Sequence, residues 1–186
     1  MVRLDLETLR TTLAEGTTAE KRELLEMWYQ DMDDWDIFPV RSVLPALGDT
    51  DAKVRALAIK ILINRSLYDD LERKELLATW RMIADPDSKV RSTLIEEIQT
   101  TQCGFLYRDD LEELLPLLRH RNSGIRNSAI HLFLQIPHYF DDELCLGIAE
   151  SAIRENHAIQ ETTIEFLECL GQGSLMGGGQ GYDSGC

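Results

Sequence analysis

Apolar residues recur along this chain at helical spacing, in paired segments joined by polar turns. Leu4, Leu6, Leu9 and Leu13 share one face of a first helix that Gly16 ends. Thr17 and Glu20 have the spacing of a capping box, predicting a second helix to about Tyr29 with Leu24, Leu25 and Trp28 inward. A second pair begins at Pro39, which suits a first helical turn, carries Val43, Leu44 and Leu47, and returns over 51–65. The third runs out through Leu71, Leu76, Leu77, Trp80 and Ile83 and back from Val90 to Ile98; the fourth runs out through Leu111, Leu114, Leu115 and Leu118 and back from Ile125 to Ile136. A fifth carries Leu144, Ile148, Ala149 and Ile153 outward and returns to about Leu170. No segment alternates with period two for long enough to make a strand, so the chain reads as all-α.

The pairs are also copies of one another. Asp49-Thr50-Asp51-Ala52-Lys53-Val54-Arg55 is followed 36 residues later by Asp85-Pro86-Asp87-Ser88-Lys89-Val90-Arg91. Arg121-Asn122-Ser123-Gly124-Ile125-Arg126 follows, with its arginine 35 residues beyond Arg91. A weaker copy begins at Ile159 with Gln160 in the arginine's place, and Arg22 stands at the equivalent position of the first pair. Self-similarity at this period means stacked two-helix units, none of which buries its apolar face alone. Aspartate pairs at Asp69-Asp70, Asp109-Asp110 and Asp141-Asp142 precede the opening helices, where a carboxylate accepts from unpaired first-turn N–H groups.

An opening helix ending in leucine, an Asp-Pro-Asp or Asp-Thr-Asp turn, Lys-Val-Arg and an apolar return helix together resemble the HEAT repeat family, most closely its short bacterial form. The resemblance covers most of residues 1–170 and is strongest at 49–55 and 85–91. It implies a right-handed α-solenoid of about five antiparallel helix pairs; the periodicity by itself also admits another helical repeat. It further implies a structural ladder in which Asp51 and Asp87 join Arg55, Arg91 and Arg126. On that pattern Asp49 or Asp51 pairs with Arg55 or Arg91, and Asp85 or Asp87 with Arg91 or Arg126. The regular arginines are then architectural, since a planar guanidinium suits a carboxylate at a seam.

Charge narrows the function. Against 33 acidic residues stand 19 Lys and Arg spread through every segment, a net charge of -14. Phosphate backbones and anionic lipid surfaces repel such a chain, so neither nucleic acid nor membrane is an expected partner. No apolar run reaches the roughly 20 residues of a bilayer crossing. The N-terminus has acids where a signal peptide needs apolar residues, and Cys103, Cys145, Cys169 and Cys186 are far apart, which fits a reduced cytoplasmic protein. No phosphate-binding glycine loop, His-Glu-x-x-His, serine elbow or zinc-ligand spacing occurs, and His120, His131, His138 and His157 are scattered. The expectation is a protein that is not an enzyme and takes no cofactor or metal.

Two stretches remain as candidate sites. Trp35, bracketed by Asp33, Asp34 and Asp36 in an acidic turn, is either an exposed anchor for a partner or a staple for the next helix. After Leu170 the composition shifts to glycine and serine, predicting a disordered tail over 171–186 behind a solenoid over 1–170. Within it, Leu175-Met176-Gly177-Gly178 resembles the double-glycine end of leaders in ribosomally made, modified peptides. That resemblance makes Gly179 to Cys186 a core whose Tyr182, Asp183, Ser184 and Cys186 are open to modification by a partner enzyme. The first expectation is a protein-binding scaffold using the concave face of the solenoid. The alternatives are a precursor or carrier with a processed tail, and an acidic inhibitor or immunity-like protein against a basic partner. A repeat-built accessory of the bilin-attachment type has only the fold in its favour.

Overall fold

The computed structural model describes residues 6–30, 39–66, 71–101 and 108–135, together with Glu143, Gly147 and Ile148. Every regular element among them is helical. In order they are α1 (Leu6–Glu15), α2 (Thr18–Gln30), a 3-10 helix (Val40–Gly48), α3 (Ala52–Ser66), and α4 (Arg73–Trp80) continued by a 3-10 turn (Arg81–Ala84). Then come α5 (Ser88–Thr101), α6 (Arg108–Glu112), a 3-10 turn (Leu115–Arg119) and α7 (Ser123–Leu134). The rest of the fifth pair, the aspartate pairs at 69–70 and 141–142 and the tail lie outside the described residues. The chain divides into two compact units, Met1–Ala129 and Ile130–Cys186.

The caps follow from the residues that make them. Thr17 N and Thr17 Oγ1 each donate to Glu20 Oε2 at 2.7 Å, and Glu20 N donates back to Thr17 Oγ1 at 3.3 Å, closing the expected box at the start of α2. Glu72 N donates to Glu75 Oε2 at 2.8 Å to start α4 in the same way. Gly16 N donates to Thr12 O at 2.9 Å where α1 ends.

The opening helices depart from the expected α-form. Val40–Gly48 is a nine-residue 3-10 helix with Pro45 inside it. A proline there has no N–H for an i→i−4 bond and crowds the carbonyl four residues back, so the tighter winding is the one that survives. Pro116 likewise sits in the first turn of Leu115–Arg119.

The core of the first unit centres on α3. Val54, Ala58, Ile59, Ile61, Leu62 and Ile63 are all fully buried, because α3 is covered by α2, Val40–Gly48, α4 and α5. Apolar residues all round mark a helix with neighbours on every side. Leu9, Leu25 and Val43 join it from the earlier helices. Trp28 and Trp80 are core residues, as their helical positions implied.

Candidate functional site

The repeated turn is one hydrogen-bonded device built three times. Its first residue ends a 3-10 turn by donating its N–H three residues back: Asp49 to Ala46 O at 3.2 Å, Asp85 to Met82 O at 3.0 Å, His120 to Leu117 O at 3.1 Å. Backbone angles agree across the copies, with φ/ψ of -64°/149°, -58°/140° and -63°/142°. The same residue's side chain then accepts the N–H two positions on. Asp49 Oδ1 takes it from Asp51 and Asp85 Oδ1 from Asp87, each at 2.8 Å; His120 Nδ1 takes it from Asn122 at 3.1 Å. The third residue caps the return helix, Asp51 Oδ1 accepting from Val54 N, Asp87 Oδ1 from Lys89 N and Asn122 Oδ1 from Ile125 N.

Each arginine folds back over its own turn. Arg55 Nη1 donates to Asp49 O (2.8 Å) and Thr50 O (3.1 Å). Arg91 Nη1 donates to Asp85 O (2.7 Å) and Pro86 O (3.1 Å), and Arg126 Nη1 to His120 O (2.7 Å) and Arg121 O (3.2 Å). These carbonyls belong to the last turn of one helix and the entry to the next, where backbone acceptors are orphaned. The side chain six residues on satisfies them, a role that the resemblance to a ladder did not contain.

The opposite edge of the guanidinium reaches forward into the following unit. Arg22 Nε donates to Asp51 Oδ1 at 3.0 Å, with Nη2 on Asp51 Oδ2. Arg55 grips Asp85 through two bonds, Nε to Oδ2 at 2.7 Å and Nη2 to Oδ1 at 2.9 Å. Among the described residues Arg91 meets no carboxylate, and it donates Nε to Ser128 Oγ at 3.0 Å although it is 6% exposed. The ladder therefore corrects the expected pairing. Asp51 belongs to Arg22, Asp49 to Lys21 at 2.8 Å, and Asp87 uses its carboxylate on a backbone N–H rather than on Arg91 or Arg126. Spacing marked which residues form rungs; it carried no direction, and the forward reach becomes visible only when the units are stacked.

Further pairs tie the same units along their helices. Arg73 Nε donates to both oxygens of buried Asp110, Arg81 Nη2 meets Glu113 at 2.7 Å, and Glu97 accepts from Asn64 at 2.8 Å with Lys60 at 3.3 Å. Asp110, expected as a cap ahead of its opening helix, lies instead within α6 and accepts a cation from the preceding opening helix.

Arg22's hydrogen bonds hold the Asp51 carboxyl at about 2, against a partial opposing effect of burial. The same contact raises Arg22, and Asp85 raises Arg55. At Asp49 burial pushes upward, but Lys21 and the Asp51 N–H together bring it below its ordinary value. A carboxyl depressed in the folded state contributes stability that is complete above 3.8 and lost as pH falls through about 2. Asp51→Asn should therefore flatten the acid limb of the stability curve over that window by on the order of 1 kcal/mol, discounted because Arg22 is partly exposed. Urea unfolding at stepped pH measures it; an unchanged limb would show that the rung contributes nothing.

Of the other sequence candidates, Trp35, Asp33, Asp34 and Asp36 lie outside the described residues, as do Tyr182, Asp183, Ser184 and Cys186. Among the described residues no three His, Cys, Asp or Glu side chains converge on a metal-sized site, and no helix is long and apolar enough to cross a membrane. No family model matches the chain, and no curated protein or solved structure is significantly similar to it.

Proposed function

We propose that the chain is a HEAT-like α-solenoid acting as a non-enzymatic scaffold for another protein, with the concave face of the stack as the contact surface. The observation that carries this reading is the turn device. Three copies share the same kind of internal bonds, and Arg22, Arg55 and Arg91 each reach forward into the following unit. Polar side chains are thereby committed to holding register, which leaves recognition to the helix faces.

The partner is a protein with a basic surface. Among the described residues the exposed large hydrophobic is Met27, so an apolar patch does not drive the contact. A net charge of -14 instead speeds encounter with a cationic surface. Capture with the full-length protein followed by cross-linking tests this. The complex should weaken as salt shortens the screening length, survive deletion of 171–186, and place its cross-links on the helical pairs. A complex lost with the tail would favour the precursor reading, and one indifferent to salt would remove the basic partner.

A further inference from the structure

Between α1 and the Val40–Gly48 helix lies a cleft of about 300 Å³ lined by Arg10, Leu13, Ala14, Arg41, Ser42 and Pro45. Arg10, Leu13 and Ala14 stand at i, i+3 and i+4 and so share one face of α1. Arg41, Ser42 and Pro45 come from the facing helix.

The polar groups of this cleft are under-used. Arg10 is exposed and makes no ion pair or hydrogen bond among the described residues. Arg41 has only distant carboxylates, Glu72 at 3.7 Å and Glu75 at 4.0 Å, both beyond hydrogen-bond reach. Ser42 Oγ is buried without a partner, where a hydroxyl ordinarily finds one. In a chain with 33 acids to 19 bases, two arginines flanking an apolar wall without a hydrogen-bonded carboxylate are conspicuous.

We propose that this cleft binds a small monocarboxylate with an apolar body, of the size of a medium-chain fatty acid. The planar carboxylate accepts from the guanidinium edges of Arg10 and Arg41. Its alkyl body covers Leu13, Ala14 and Pro45, removing apolar surface from water. A single negative charge fits better than two, because the surrounding net charge of -14 opposes each unit of anion brought in. The cleft volume lies at the lower end of ligand sites, which suits one short chain rather than a cofactor. This site is independent of the scaffold reading.

The test is titration of the full-length, isotope-labelled protein with sodium octanoate and, as the uncharged control of equal length, 1-octanol. Octanoate should saturate with shifts confined to α1 and Val40–Gly48, and bind roughly tenfold tighter than octanol. Arg10→Gln should reduce octanoate to the level of octanol without changing the thermal midpoint, since Arg10 is exposed and unpaired. Ala14→Phe, which fills the cleft from its rim, should abolish binding of both. Equal affinity for the two probes, no saturable octanoate binding, or an Arg10→Gln variant that binds octanoate as before would overturn the assignment.

Discussion

Asp85→Ala is expected to destabilise the protein by about 3–5 kcal/mol, the cost of leaving a buried guanidinium without its counter-charge. The Asp85 side chain is 4% exposed and that of Arg55 11%, so water cannot replace the lost carboxylate. The same substitution strips the acceptor from Asp87 N–H, loosening the entry to α5. Asp51→Ala removes a carboxylate of equal chemistry from the preceding rung, yet Arg22 is 40% exposed there and can turn to solvent. Its loss should be about 1 kcal/mol. Burial is the main difference between the two rungs, although each carboxylate also holds its own backbone N–H, Asp51 that of Val54 and Asp85 that of Asp87. Adding Arg55→Met to Asp85→Ala should recover part of the loss, since the uncompensated charge is gone and an apolar stem remains. Urea unfolding followed by far-ultraviolet circular dichroism measures the parent, the three single variants (Asp85→Ala, Asp51→Ala and Arg55→Met) and the double variant. Equal losses at positions 51 and 85, or strict additivity in the double variant, would mean that the rungs carry no coupling.

That contrast also shows what could be read before any coordinates. The helical pairs, the Thr17 box and the stop at Gly16 were legible because each depends on neighbours in sequence. The arginines at 55, 91 and 126 were legible as a repeat, and their first partners lie within six residues. Their carbonyl bonds were missed because a side chain's direction is invisible in spacing. The forward rungs join residues about 30 apart, and only stacking decides whether Arg55 meets Asp51 or Asp85. The 3-10 winding of Val40–Gly48 does not show in the apolar spacing, although Pro45 inside the segment is the residue that favours it. Arg22 was legible as the counterpart of Arg55, 33 residues before it, but its rung on Asp51 and the pairing of Lys21 with Asp49 were not. The cleft beside Arg10 left no mark in the sequence, because an unpaired arginine looks like any other until its surroundings are seen.

His120 is where the repeat breaks its own rule, and restoring the rule should strengthen the fold. It occupies the position of Asp49 and Asp85, and its Nδ1 copies their bond to the N–H two residues on. What it cannot copy is the second function of Asp85, acceptance of the preceding arginine, Arg55. Arg91 is accordingly buried against Ser128 Oγ with no carboxylate, and its Nη2 lies so close to Gly124 that a Cβ there would approach it to 2.9 Å. Position 124 is lysine in the other two copies, and glycine leaves the space the guanidinium fills. Desolvation of Arg91 is already part of the folded state, so a new carboxylate adds attraction at the cost of its own desolvation alone. His120→Asp should raise stability by about 1–2 kcal/mol. The gain should vanish in an Arg91→Met background, which separates a completed rung from a better turn residue. A variant no more stable than the parent, or a gain that persists without Arg91, would show that the third turn is held by its local bonds and that Arg91 needs no counter-charge.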